Sequence, residues 1–170
     1  MKDKNNRLAV VLCLAFIALL GSGFLRPAKK GGFDLDGFGA FPALSGGRIK
    51  PLDTIARSSL LMIRGKQSLR AEGVALGPVE WLLETLFKSQ DADRRPLFEI
   101  DDPDVLGLLQ IRQSSKRHYS FEDLIPFLHE IESQAVAAGQ VKPEGRARFQ
   151  RSIHKLQSRV VLFQSLKNTL

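Results

Sequence analysis

Cysteine occurs once in these 170 residues, at Cys13. The chain therefore cannot close an intrachain disulfide or supply by itself a Cys-rich zinc site or an iron–sulfur cluster. No Cys-x-x-Cys-His haem-attachment motif is present. Tryptophan and tyrosine also occur once each, and aromatic residues do not interleave with the basic clusters as a stacking platform for single-stranded nucleic acid needs. No Gly-rich phosphate loop follows a strand, no Gly-x-Ser-x-Gly elbow occurs, and no internal repeat is found. The three histidines, His118, His129 and His154, lie on separate segments without ligand spacing; only His129, with Glu130 and Glu132, comes near it. The acidic cluster Asp91, Asp93, Glu99, Asp101, Asp102 and Asp104 lacks the glycine and distal glutamate of a calcium-binding EF-hand. Solvated loop and helix caps are the simplest account of it. The expectation is no catalytic residue, no bound cofactor and no metal.

Acidic residues are too few overall: 25 Lys and Arg stand against 18 Asp and Glu, a net charge of +7. The excess is segregated. Residues 1–30 carry six basic residues against Asp3, and residues 142–170 carry seven against Glu144. Between them the balance is acidic, with twelve basic and sixteen acidic residues. A basic groove for nucleic acid is therefore poorly supported, and no nucleic-acid partner is expected.

Leu8 to Leu25 reads LAVVLCLAFIALLGSGFL, eighteen residues without a charge, at the lower edge of what spans a hydrocarbon core of about 30 Å. A basic stretch precedes it, as in a secretory signal peptide. No good small-x-small cleavage site closes the run, because Phe24, Leu25 and Arg26 carry it into a basic flank. This favours an uncleaved anchor over residues 1–25. Three basic residues on each side leave the positive-inside rule without a vote.

Residues 26–47 have a glycine- and proline-rich composition with scattered phenylalanines, and read as an extended linker. Pro51 and a candidate N-cap, Asp53, then open an amphipathic helix that Gly65 stops. A second helix begins at Pro78, with Trp81, Leu82, Leu86 and Phe87 as its expected buried face. Leu97–Ile100 and Arg117–Tyr119 are short strand candidates, and Asp102 and Pro103 open a short helix between them. Ser120 and Asp123 form a capping box for a helix toward Ala138, restarted at Pro126 and ended by Gly139. Finally, Phe149, Ile153, Leu156, Val160 and Phe163 recur at steps of four, three, four and three, a seam that continues at Leu166 and Leu170. The basic residues of that helix, Arg146, Arg148, Arg151, Lys155, Arg159 and Lys167, read as a solvated face, with anionic lipid or a partner protein as the alternative.

The expected architecture is mainly α: an anchor over 1–25, a linker over 26–47, a helical domain over 48–141 and a long amphipathic basic helix over 142–170, with at most one short two-stranded ribbon. The last helix carries no glycine or proline stop, as in a fragment or a helix leading into more protein. The most specified stretch runs from Gly47 to Arg57. Arg48, Lys50, Pro51, Asp53, Thr54 and Arg57 form a loop-to-helix corner able to present donors to an anion or a partner.

The segment from Phe41 to Thr54, FPALSGGRIKPLDT, followed by Pro78-Val79-Glu80-Trp81-Leu82-Leu83, resembles the extracytoplasmic segment of large cytochrome c biogenesis proteins of the Ccs/Res type (system II). The similarity spans most of residues 41–170, with GRIKPLDT its most specific part. That family moves haem across the membrane and joins it to apocytochrome c. Its haem site uses a tryptophan-rich loop and histidines beside several transmembrane helices, whereas this chain has only Trp81 and one candidate span, so no haem ligand carries over. The resemblance implies a single-pass segment of the cytoplasmic (inner) membrane with its body outside the cytoplasm. It further implies an accessory or scaffold role without enzymatic chemistry, docking to a haem-handling multi-pass membrane protein. Two other readings stand beside it: an unrelated single-pass adaptor binding lipid or a partner through its basic last helix, and a hydrolase built on the acidic cluster.

Overall fold

The computed structural model describes Phe16 and residues 32–71, 73–111 and 116–169. The anchor expected over 1–25, the start of the linker and Leu170 lie outside the described residues, Phe16 apart. Among the described residues no helix is long and apolar enough to cross a membrane.

Part of the expected linker is ordered structure. Helix α1 spans Leu35–Ala40, and it packs closely because Gly39 has no side chain: a Cβ there would stand 3.3 Å from both Asp53 Cβ and Val79 Cγ2. Strands β1 (Pro42–Ser45) and β2 (Arg48–Pro51) pair antiparallel in a hairpin, with Leu44 opposite Ile49. Gly46 and Gly47 take φ of 60° and 73°, the left-handed pair that a two-residue hairpin turn demands. The composition that suggested a linker is thus the composition of a tight turn between short strands.

Helix α2 (Leu52–Arg64) buries Ile55, Ala56, Ser59, Leu60 and Ile63 on one stripe, and ends at Gly65, whose φ of 79° lets its N–H reach Leu61 O at 2.8 Å. Its N-cap is Pro51, not Asp53, which lies in the first turn. A second hairpin, β3 (Leu69–Ala71) with β4 (Val74–Leu76), precedes α3 (Pro78–Phe87). The Glu80 carboxylate accepts the Gly77 N–H at 2.7 Å, half of a capping box. Trp81 and Leu82 are buried as expected and Leu86 partly so, but Phe87 is exposed and Thr85 is buried instead, its hydroxyl donating to Trp81 O at 2.9 Å.

After α4 (Ser89–Asp93), β5 (Phe98–Glu99) and β6 (His118–Tyr119) form a third ribbon, extended by Leu97 N–H to Tyr119 O and Ile100 N–H to Arg117 O. The expectation of at most one ribbon is therefore corrected to three among the described residues. Between these strands lies α5 (Pro103–Leu108), capped by Asp102. Helix α6 (Phe121–Leu124) opens on the Ser120–Asp123 capping box, a 3₁₀ turn holds Pro126, and α7 (Leu128–Gly139) follows.

A second 3₁₀ turn (Pro143–Gly145) leads into α8 (Arg148–Lys167), which buries Ile153, Leu156, Val160 and Phe163. Phe163 stands edge-on to Phe98 at 5.8 Å and against Phe121 at 5.2 Å, so one aromatic cluster joins the third ribbon, α6 and α8. The last helix belongs with residues 35–141 in one compact unit. Its basic residues do not form one solvated face: Arg159 is buried, and Lys167 bonds Asp93 at 2.6 Å above the Phe121 ring.

Candidate functional site: an inverted ribbon and a polar cleft

Side chains directly opposite in an antiparallel pair share a face, and successive residues alternate faces. The register of β1 and β2 thus places Pro42, Leu44, Ile49 and Pro51 on one face and Ala43, Ser45, Arg48 and Lys50 on the other. All four residues of the apolar face are exposed, whereas Ala43, Ser45 and Lys50 are half-buried. Leu44 and Ile49 each keep 76% of their surface accessible, and Phe41 beside them 63%. The usual arrangement, apolar inward and polar outward, is inverted. Clustered exposed apolar side chains of this kind are a common feature of interaction surfaces.

The six residues expected to bind a partner all lie at this corner. Arg48, Pro51, Thr54 and Arg57 are exposed, and Lys50 and Asp53 half-buried. The Phe41 carbonyl accepts the Leu52 N–H at 2.9 Å and ties the ribbon to the start of α2. Asp53 and Arg57 are committed to one another: Arg57 Nε donates to both carboxylate oxygens, at 3.0 and 2.8 Å. That hydrogen bond, with the carboxylate charge, raises the Arg57 pKa. Arg48 and Lys50 lie on the face opposite Leu44 and Ile49. The set chosen by charge lies on β2 and the first turns of α2 and does not include Leu44 and Ile49, the exposed apolar pair of the ribbon. The alternation from Pro42 to Ser45 and from Arg48 to Pro51 carried that information.

The other candidates are dispersed. Among the described residues no group of three His, Cys, Asp or Glu could hold a metal ion. His118 lies in β6 opposite Glu99, where burial and Arg64 lower its pKa against the attraction of Glu99. Two members of the acidic cluster have structural roles. Asp102 is buried and caps α5, and Asp93 pairs with Lys167.

Asp102 also lines a cleft of about 110 Å³ between residues 99–105 and α8. The helix contributes Arg148, Ser152, Lys155 and Arg159, at steps of four, three and four, so all share one face. The facing segment contributes Glu99, Asp101 and Asp102. Ser152 Oγ donates to Asp102 Oδ2 at 2.9 Å, and Arg148 Nε lies 3.3 Å from the same oxygen. Arg159 Nη1 donates to Glu99 O at 3.1 Å, while its Nε is buried without a partner. The expectation of a solvated basic helix concealed this site, because the basic residues were read together and not by face.

A scan against protein-family models gives no match, and no curated protein matches the chain.

Proposed function

We propose that the chain is a membrane-anchored accessory segment of cytochrome c assembly, with its body on the extracytoplasmic side, that docks to a haem-handling multi-pass membrane protein. The observation that carries the docking reading is the inverted ribbon: Leu44 and Ile49 stand side by side in solvent on a ribbon whose polar face is half-buried. Covering two such side chains is favourable by about 1.5 to 3 kcal/mol each, which makes this ribbon a natural hot spot in a partner contact. The FPALSGGRIKPLDT resemblance supports the choice of partner, and the apolar run at Leu8–Leu25 supports the anchor. No bond-making step is assigned to this chain.

The test is a pull-down from membranes of the full chain and of its Leu44→Ser/Ile49→Ser variant, with haem spectra on the eluates. The reading expects a multi-pass, haem-containing protein with the parent chain and its loss with the variant. Recovery of that protein by both removes the ribbon from the contact. If haem is absent from both eluates, the assignment to cytochrome c assembly falls. Carbonate extraction and protease treatment of spheroplasts test the anchor and its orientation separately.

A further inference from the structure

Arginine is almost never fully buried without an ionic partner, because its charge cannot be neutralised by losing a proton. Among the described residues two arginines are buried, Arg64 and Arg159, with 7% and 8% of their surfaces exposed. Arg64 is a structural pin: Nη1 donates to Pro96 O and Nη2 to Arg70 O, joining the end of α2 to β3 and to the loop before β5. Arg159 makes one hydrogen bond where Arg64 makes two, to Glu99 O; its Nε, like that of Arg64, is buried without a partner, but Arg159 lines the cleft beside α8. Among the described residues no carboxylate comes within ion-pair distance of it; Glu99 and Asp101 act on it only through space.

We propose that the cleft beside Arg159 is a binding site for a small oxyanion of the carboxylate class, held by Arg159 and Lys155. Arg148 and Ser152 are already engaged by Asp102, so the cations left for a ligand are the next two on the same helical face. Lys155 is exposed at the rim and Arg159 is at the wall. A cleft of about 110 Å³ holds the share of three or four liquid waters at about 30 Å³ each, enough for a carboxylate or a phosphate. Shape decides between them. The lining carries Arg148, Lys155 and Arg159 against Glu99, Asp101 and Asp102, so it is formally neutral. A singly charged carboxylate meets the two cations with modest repulsion from Glu99 and Asp101. A phosphate, approaching two negative charges near neutral pH, increases the attraction to the cations and the repulsion from Glu99 and Asp101 alike, so a formally neutral lining gives its extra charge no advantage. A fork of guanidinium donors matches a planar carboxylate. This site is independent of the docking ribbon and does not rest on the cytochrome c reading.

The test uses the ¹⁵N-labelled full chain, titrated with sodium acetate replacing sodium chloride at constant ionic strength, and in a second arm with inorganic phosphate. The Nε–Hε resonance of Arg159 is assigned by its loss in Arg159→Lys. It should shift saturably with acetate, and more weakly with phosphate at equal ionic strength. Lys155→Ala, an exposed substitution, should weaken acetate binding about threefold to tenfold and leave the fold intact. If Arg159→Lys does not fold, Lys155→Glu takes its place and should abolish the saturable shift of the remaining lining residues. A linear response no larger than that to chloride overturns the site, as does saturable binding that Lys155→Ala and Lys155→Glu leave unchanged. Tighter binding of phosphate overturns the carboxylate assignment.

Discussion

Asp102 and Ser152 meet across fifty residues of sequence: Ser152 Oγ donates to Asp102 Oδ2 at 2.9 Å while Asp102 Oδ1 accepts the Asp104 N–H at 3.0 Å. One buried carboxylate therefore starts α5 and fastens it to α8. Asp102→Ala should lose the cap and leave Ser152 without its acceptor, at a cost of about 2 kcal/mol. Equilibrium urea unfolding followed by the fluorescence of Trp81, the single tryptophan, should show a lower midpoint with an unchanged slope. A midpoint equal to that of the parent chain would mean that the 102–152 link contributes nothing.

The Asp102 cap was legible in the sequence because Asp-Pro at a helix start is a local signal, and the Ser120–Asp123 box was legible for the same reason. Ser152 was not, since nothing local tells a serine on a helix which distant carboxylate it will face. The seam Ile153, Leu156, Val160 and Phe163 was read correctly from its period. Arg159 was assigned to solvent because period alone does not distinguish a flank of the seam that is covered by the 99–105 segment from one that is not. The ribbons were undercounted because strands of two to four residues are too short for alternation to stand out from composition.

Desolvation, the largest single influence on Asp123, pushes its pKa up, but the backbone and side-chain hydrogen bonds from Ser120 and the neighbouring Lys116 together outweigh it and hold the pKa below the ordinary value. Since the folded pKa lies below the unfolded one, the stabilisation is fully present above about pH 5. It is lost as pH falls through about 3.9 and on through the lower folded value. Asp123→Asn should therefore lower stability at neutral pH and flatten its dependence below about pH 5. Unfolding midpoints of both chains against pH should converge toward acid. Parallel curves would remove Asp123 from the acid response.

Asp53 is not the cap of α2, which changes what its removal should do. The residue pairs with Arg57 one turn on, in a bridge whose side chains remain about half and more than a third exposed. Exposed i, i+4 pairs contribute about 0.3 to 0.5 kcal/mol, so Asp53→Ala should cost less than a lost cap would. The expected unfolding midpoint lies close to that of Arg57→Ala, and the double variant should be no worse than about the sum of the two minus the pair energy. A loss of several kcal/mol would place Asp53 in a structural role that the bridge does not account for.

Gly47 controls the presentation of Leu44 and Ile49 without touching a partner through a side chain of its own. Its φ of 73° is open to glycine, whereas a β-branched residue there is a strained outlier costing about 1 to 3 kcal/mol. No atom lies within 4 Å of a Cβ built at this position, so the penalty of Gly47→Val is conformational and not steric crowding by neighbours. A two-stranded ribbon is marginal by itself, and this one is joined to the core mainly through α2, so the strain should open the ribbon and leave the core folded. Hydrogen exchange should then show lost protection for the β1–β2 amides while the Trp81-reported unfolding midpoint stays nearly that of the parent chain. Co-purification with the proposed membrane partner should fall as expected for Leu44→Ser/Ile49→Ser. If the amides lose protection and the partner is still retained, the contact does not need the ribbon as an ordered element. Equal loss of protection across α2, α3 and α8 would instead make the ribbon part of the cooperative core.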